Sequence, residues 1–422
     1  MNIKEYKNEK LAESYFEIEH PSGLKILVLP KPGYSTTYAL FATRYGSIDT
    51  HIQAPDGSYY EIPDGTAHFL EHKLFESEEQ DAFERFAKTG ASANAFTSFD
   101  RTAYLFSCSA NVKQNLEILM DFVQSPYFTQ QTVDKEQGII GQEIRMYKDS
   151  PDWSLMINLL QALYSKSPVF DIAGTEESIS KITAETLYDC YRNFYNLNNM
   201  VFAVAGNTTV EEVLEVADRM LKPATGKRAQ RKLPEGNRGA VKKYVEEKMS
   251  VETTQFMLGF RENSGNPEIS TLERVASTVI LDVIAGNASL CYKELMEEQL
   301  INTSFSYEYL DGFGYAVPMF SGESHDPELV SEKIRNYISR LKKDGIDPVD
   351  FERSRRKLYG RMVMEYNDVE NIADALVISD FRGEGLFDEI TVCAGLTLEQ
   401  VNARLKAMFD EDSYSLSVVS PK

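Results

Sequence analysis

Two histidines four residues apart, His68 and His72, bracket Glu71 in the run His-Phe-Leu-Glu-His. On a helix, residues four apart project from one face, so both imidazoles can reach a single metal ion. Glu71 shares that face and is placed to take a proton from water activated there. The order His-x-x-Glu-His inverts the commoner His-Glu-x-x-His and is a zinc-peptidase signature in its own right. A catalytic zinc takes three protein ligands and keeps one position open, so a third donor must come from elsewhere in the chain. Glu136 and Glu143 are the candidates. They lie seven residues apart on one face of a helix expected over 132–147, with Ile139 and Ile140 between them on its apolar side. Gly138 and Gly141 fall on the opposite face, where they would let a neighbouring element come close. The competing reading, buried structural imidazoles and plain solvated carboxylates, is weakened by Glu71 standing between the histidines. His20, His51 and His325 have no such company and read as structural or surface residues.

The elements that must hold these side chains are legible on either side. The motif helix follows Pro63-Asp64-Gly65-Thr66, where Asp64 or Thr66 can cap its free amides. A second helix over 81–88 stops at Gly90, which suits a left-handed cap. Residues 91–97 and 102–108 then form a hairpin turning at Phe99-Asp100-Arg101. Strands are expected over 15–29, 37–45 and 201–205, and helices over 112–124, 153–163 and 184–195. From Pro223 to Lys243 the texture changes to Gly226, Lys227, Arg228, Arg231, Lys232, Pro234, Gly236 and Asn237. This basic run reads as a solvated linker.

The second half repeats the first. Thr183-Ala184-Glu185, Phe194 and the strand from Val201 are matched by Thr397-Leu398-Glu399, Phe409 and the strand from Leu416, and 253–260 echoes 37–44. The reading is two homologous α+β domains, 1–222 and 244–422, joined by a linker over 223–243. The second copy has no His-x-x-Glu-His, so the first does the chemistry.

Composition excludes several classes. With 65 acidic against 44 basic residues the formal net charge is −21, which argues against nucleic acid or an anionic membrane as partner. Cys108, Cys190, Cys291 and Cys393 form no CxxC pair and read as reduced, buried thiols. The charged N-terminus lacks the apolar core of a signal peptide, and no window approaches the length of a membrane span. The expected location is cytoplasmic.

Taken together, His68 to His72, Glu136 with Glu143, and Gly90-Ala-Ser-Ala-Asn-Ala-Phe-Thr-Ser98 resemble the pitrilysin family of zinc metallopeptidases. That family includes insulin-degrading enzyme and mitochondrial processing peptidase. The likeness covers nearly the whole chain and is strongest to the zinc-bearing subunit of the short bacterial heterodimers. It implies a pitrilysin-type α+β fold forming half of a clamshell, and Zn2+ held by His68, His72 and Glu143. It also implies Glu71 as general base and Glu136 as a catalytic carboxylate supporting the site. Ala93, Asn94, Ala95 and Phe96 then belong to an edge strand to which a peptide substrate adds as a further strand.

One departure stands out. The family's substrate-binding Arg, with a Tyr seven positions later, is replaced by Met296 and Thr303, and no arginine occurs between Arg274 and Arg335. Tyr307, Tyr309 or Tyr315 can replace the tyrosine but not the guanidinium. Losing donors aimed at an oxyanion costs ~10²–10³ in turnover. The expectation is therefore a zinc endopeptidase for peptides or unfolded segments, completed by a related zinc-free sister subunit or by a second copy in a homodimer. The rival readings are a non-catalytic assembly subunit of a processing-peptidase-like complex, and a small-molecule lyase using the same motif.

Overall fold

The computed structural model describes every residue except 55, 79, 166–170, 228–229, 233–238 and 263–267. The chain divides into two compact units. One comprises Met1–Ile144, Asp171–Lys232 and Val363–Phe387, and the other Arg145–Phe170, Leu233–Met362 and Asp388–Lys422. The change of unit falls inside the basic run, but two exchanged segments were not expected from a sequential division at 222 and 244. Helix Pro151–Leu163 buries Leu155, Leu159 and Leu160 in the second unit. Helix Val369–Arg382 buries Ile372, Ala373, Leu376 and Val377 in the first. In each case an apolar stripe packs against the sheet of the unit it joins.

The first unit contains β1 (Asn2–Asn8), β2 (Glu13–Glu19), β3 (Lys25–Pro30), β4 (Thr37–Thr43), a short hairpin of β5 (His51–Gln53) and β6 (Tyr59–Glu61), β7 (Ser92–Thr97), β8 (Thr102–Cys108) and β9 (Met200–Gly206). Seven of these form one sheet in the order β1-β2-β3-β9-β4-β8-β7. Only β3 and β9 run parallel. Strands β4 and β9 are buried at every residue, as central strands covered on both faces must be.

The second unit contains β10 (Tyr244–Met249), β11 (Gln255–Phe260), β12 (Ser306–Gly312), β13 (Tyr315–Glu323) and β14 (Tyr414–Pro421), in the order β10-β14-β11-β13-β12. This order matches β3-β9-β4-β8-β7 position by position, and the single parallel pair, β10 with β14, falls where β3 pairs with β9. The helices leading into the last strand of each copy start alike, with Thr183 and Thr397 closing capping boxes. The repeat legible in the sequence is thus a repeat of topology.

Several local expectations are corrected. Residues 15–29 are not one strand but β2 and β3, folded back through a turn in which Gly23 donates to the His20 carbonyl at 2.9 Å. Strand β1 gave no apolar signal because it is an exposed edge, held by pairing to β2 and by Tyr6 stacked on Tyr15 at 5.0 Å. An apolar stretch long enough for a membrane span does exist, Thr271–Glu297. It is two helices, Thr271–Ala285 and Leu290–Glu297, mostly buried in the second unit's core. The described part of the basic run is no solvated hinge at Arg231. Its Nε lies 2.9 Å from the buried carboxylate of Asp49, while Lys232 sits over the Tyr59 ring. Arg228, Pro234, Gly236 and Asn237 lie outside the described residues. All four cysteines are free thiols and buried.

Candidate metal centre

The motif occupies helix Thr66–Leu74, whose apolar residues Phe69, Leu70 and Leu74 lock it into the first unit's core. Neither Asp64 nor Thr66 caps it. The N-cap is Gly65, in the left-handed conformation at φ 86°, with no side-chain hydrogen bond. Thr66 instead donates its hydroxyl to the Pro63 carbonyl at 2.5 Å. Glycine is needed at 65 because a Cβ there would collide with the carbonyl oxygen of Ala173, in addition to the strain of positive φ.

The facing carboxylates lie on helix Gln130–Lys148, anchored by Val133, Ile140 and Ile144. Ile139, expected on the apolar side, is 46% exposed, and only Ile140 of that pair enters the core. Gly138 and Gly141 have no close neighbour either, since a Cβ on either would touch nothing among the described residues. The sequence did not reveal Lys73, fully buried, whose ammonium pairs with Glu76 and reaches the Thr132 carbonyl at 3.4 Å. It ties the motif helix to the start of the carboxylate helix.

These two helices bring His68, His72 and Glu143 together, with one donor atom from each inside 4.8 Å of the others. His68 Nε2 is 3.7 Å from Glu143 Oε1, and His72 Nε2 is 3.5 Å from Glu143 Oε2. Both distances exceed a hydrogen bond. Ligands ~2.0–2.1 Å from one zinc at tetrahedral angles lie about 3.4 Å apart, so each histidine stands close to ligand spacing from one of the two Glu143 oxygens. Glu136 does not join the cluster. Its Oε1 is 3.1 Å from His72 Nδ1, the far side of that ring. A carboxylate there fixes Nδ1–H and turns the Nε2 lone pair toward the other donors.

The electrostatics suit metal binding. Burial, with His72 beside it, drives the pKa of His68 down to about 3, so its imidazole is neutral and able to ligate. Burial also acts to lower the pKa of His72, but the bond to Glu136 and the charges of Glu71 and Glu143 outweigh it and raise the net value. Glu71 is pushed up to about 7, chiefly by burial, with the His72 charge opposing and Glu143 adding to the rise. Its Oε2 accepts from the Thr97 hydroxyl at 3.4 Å.

Thr97 ends β7, which carries Ala93, Asn94, Ala95 and Phe96. This strand is the edge of the seven-stranded sheet, paired on one side with β8. Asn94 is exposed, and its side-chain oxygen accepts from the Ala95 amide at 2.9 Å. The edge strand therefore ends in the residue that is hydrogen-bonded to the Glu71 carboxylate.

Residues 49–174 match the family described as insulinase (peptidase family M16), and residues 181–358 match the peptidase M16 inactive domain. An uncharacterized zinc protease of Bacillus subtilis (strain 168) is 39% identical over 434 residues, covering 100% of each chain. The chain belongs to the M16, or pitrilysin, peptidase family. A crystal structure of a putative M16-like peptidase from Alicyclobacillus acidocaldarius, 35% identical, matches 99% of this chain and 100% of its own with a TM-score of 0.93. The crystal structure of pitrilysin matches 99% of this chain and 46% of its own at a TM-score of 0.77, and at 18% identity it shows the fold alone.

Among the described residues, the second M16-type unit has no equivalent centre. Helix Thr271–Ala285, which follows β11 as the motif helix follows β4, contains no histidine. Met296 is partly buried against that unit's core and Thr303 is exposed. The tyrosines that could compensate are engaged locally. Tyr307 donates to Asp282 at 2.6 Å, the Tyr309 hydroxyl lies 2.9 Å from Arg404 Nη2, and Tyr315 is buried.

Proposed function

We propose that this chain is a zinc-dependent endopeptidase acting on extended peptides or unfolded segments. The observation that carries the reading is His68, His72 and Glu143 at ligand spacing, with Glu71 on the same helix and hydrogen-bonded to the end of an open sheet edge. Zinc held by those three side chains would supply Lewis-acid activation of water and of the scissile carbonyl. The chain's own residues do the rest. Strand β7 binds the peptide backbone by main-chain pairing, and its small Ala93 and Ala95 leave side chains unobstructed. Glu71, poised at about 7, takes a proton from the attacking water and returns it to the leaving amine. The Thr97 hydroxyl orients that carboxylate, and Glu136 orients His72.

The guanidinium and phenol that would grip the substrate backbone and its oxyanion are absent from the expected positions, Met296 and Thr303. A zinc-free sister subunit, or a second copy of this chain, is proposed to supply them. The test is hydrolysis of a quenched-fluorescent peptide library by the zinc-loaded chain alone, with Glu71→Gln as the blank. Chelator-sensitive turnover that disappears in the variant establishes a self-sufficient peptidase and removes the need for a partner. Stoichiometric zinc without turnover supports the incomplete-site reading, and failure to take up zinc refutes the centre itself.

A further inference from the structure

The second unit contains a cleft of about 580 Å³ between helix Pro151–Leu163, the end of helix Gln130–Lys148 and the sheet. That is within the ~300–1,000 Å³ of ordinary ligand pockets. Its floor is apolar, formed by Leu155, Met156, Phe256 and Met257. Tyr147 and Trp153 form a wall of two rings 5.1 Å apart and tilted by 32°. Two features give the cleft a charge preference. Asp152 and Glu323 both line it, and neither is paired with a cation among the described residues, Glu323 accepting from the Asn302 side-chain amide at 2.7 Å. No lysine, arginine or histidine among the described residues lines it.

These groups call for one ligand chemistry. An apolar floor under an aromatic wall wants a flat, weakly hydrated group, and two carboxylates without a cation partner want a positive charge able to donate to them. A guanidinium meets both, with a stackable plane, a permanent charge and five N–H donors on an aliphatic stem. An ammonium is more strongly hydrated and offers no plane to stack. Asp152 also sits in the first turn of its helix, where it offsets the positive end of the helix dipole. We propose that this cleft binds the guanidinium of an arginine side chain presented by a peptide. The site stands independently of the zinc centre, since every residue in it belongs to the second unit.

Trp153 is the chain's single tryptophan, so its fluorescence reports the cleft directly. The experiment titrates the full zinc-loaded chain with Nα-acetyl-arginine amide, against the neutral isostere Nα-acetyl-citrulline amide and the lysine analogue. The expected result is a saturable change with the arginine compound at millimolar concentration, with at least tenfold weaker response to citrulline and several-fold weaker response to lysine. Free arginine, carrying an α-ammonium and α-carboxylate, should bind no more tightly than the amide, whereas clearly tighter binding would overturn the peptide source. Glu323→Gln should weaken the arginine response at least fivefold at unchanged far-ultraviolet circular dichroism. Should that variant fold poorly, Asp152→Asn, at an exposed position, should give a weakening of at least twofold. Equal responses to arginine and citrulline, equal responses to arginine and lysine, or no saturable signal would each overturn the assignment.

Discussion

Replacing Glu136 separates a carboxylate that orients a ligand from one that is a ligand. Its Oε1 lies 3.1 Å from His72 Nδ1, Glu136 is only 8% exposed, and the His72 side chain is 25% exposed. A hydrogen bond to a charged group in such a setting contributes about 1.5–3 kcal/mol. Glu136→Gln keeps an acceptor for Nδ1–H but loses the charge, so about half of that disappears and zinc affinity should fall roughly tenfold. Glu136→Leu removes the acceptor as well and should cost on the order of 100-fold, the upper end for a residue supporting a ligating histidine. Glu143→Gln removes a donor from the cluster itself. If zinc binding of roughly 10–16 kcal/mol is shared among about four ligands, that loss is on the order of 100- to 1,000-fold. The assay is competition for zinc against a chromophoric chelator, with circular dichroism confirming the fold. Loss of zinc uptake in Glu136→Gln with retention in Glu143→Gln would reverse the two roles. No effect in either would refute the centre.

Glu71→Gln should bind zinc stoichiometrically yet lose ~10²–10⁴ of any peptide hydrolysis, as expected when a general base is removed without disturbing ligands; metal analysis and turnover on one sample decide it. Gly65→Ala should destabilise the apo chain by about 2–4 kcal/mol and weaken zinc binding, because strain at φ 86° adds to a collision with the Ala173 carbonyl. Gly33→Ala, at φ 90° with nothing nearby, should cost only about 1 kcal/mol and leave zinc binding alone, so equal losses in urea melts would refute the steric argument. Asp374 has its pKa raised to about 6, chiefly by burial, with Arg101 opposing and Glu370 adding. Its charge therefore costs stability fully above pH 6, and the cost is relieved as pH falls toward the unfolded value of 3.8, where both states become protonated. Asp374→Asn should accordingly raise stability by about 1–2 kcal/mol at pH 7.5, discounted for partial exposure, with the gain vanishing near pH 4 in melting experiments.

The sequence carried the fold where periodicity and punctuation coincide. Strands β4, β8 and β9 are buried and apolar, Gly90 caps helix Ala82–Thr89 at φ 76°, and Thr183 and Thr397 announce the two matching helices. It failed where an element owes its existence to pairing partners or to distant packing. Strand β1 is a charged edge, stabilised only because β2 lies beside it. Helix Val369–Arg382 joins the first unit through four buried side chains, and helix Pro151–Leu163 leaves that unit for the other sheet. Neither choice is written in local propensity, because an amphipathic helix records that it has an apolar face and not which sheet will cover it.

The site shows the same division at finer grain. Helical spacing placed His68, Glu71 and His72 on one face, and it placed Glu136 and Glu143 on another, but the choice between the two carboxylates depends on how the helices dock. That docking relies on Lys73, whose type suggests a solvated surface residue and whose ammonium instead lies buried between the helices. With Glu143 reaching both Nε2 atoms, Glu136 is left to face the opposite edge of the His72 ring, and a seven-residue repeat becomes one donor and one orienting group. The asymmetry between the two histidines follows from this. His72 has its tautomer fixed by Glu136, whereas His68 Nδ1 is buried without a hydrogen-bond partner among the described residues. Among the described residues, packing is what holds the orientation of His68. A substitution that loosens the core beneath it, rather than one that changes a charge, is therefore the perturbation to which that half of the centre should be most sensitive.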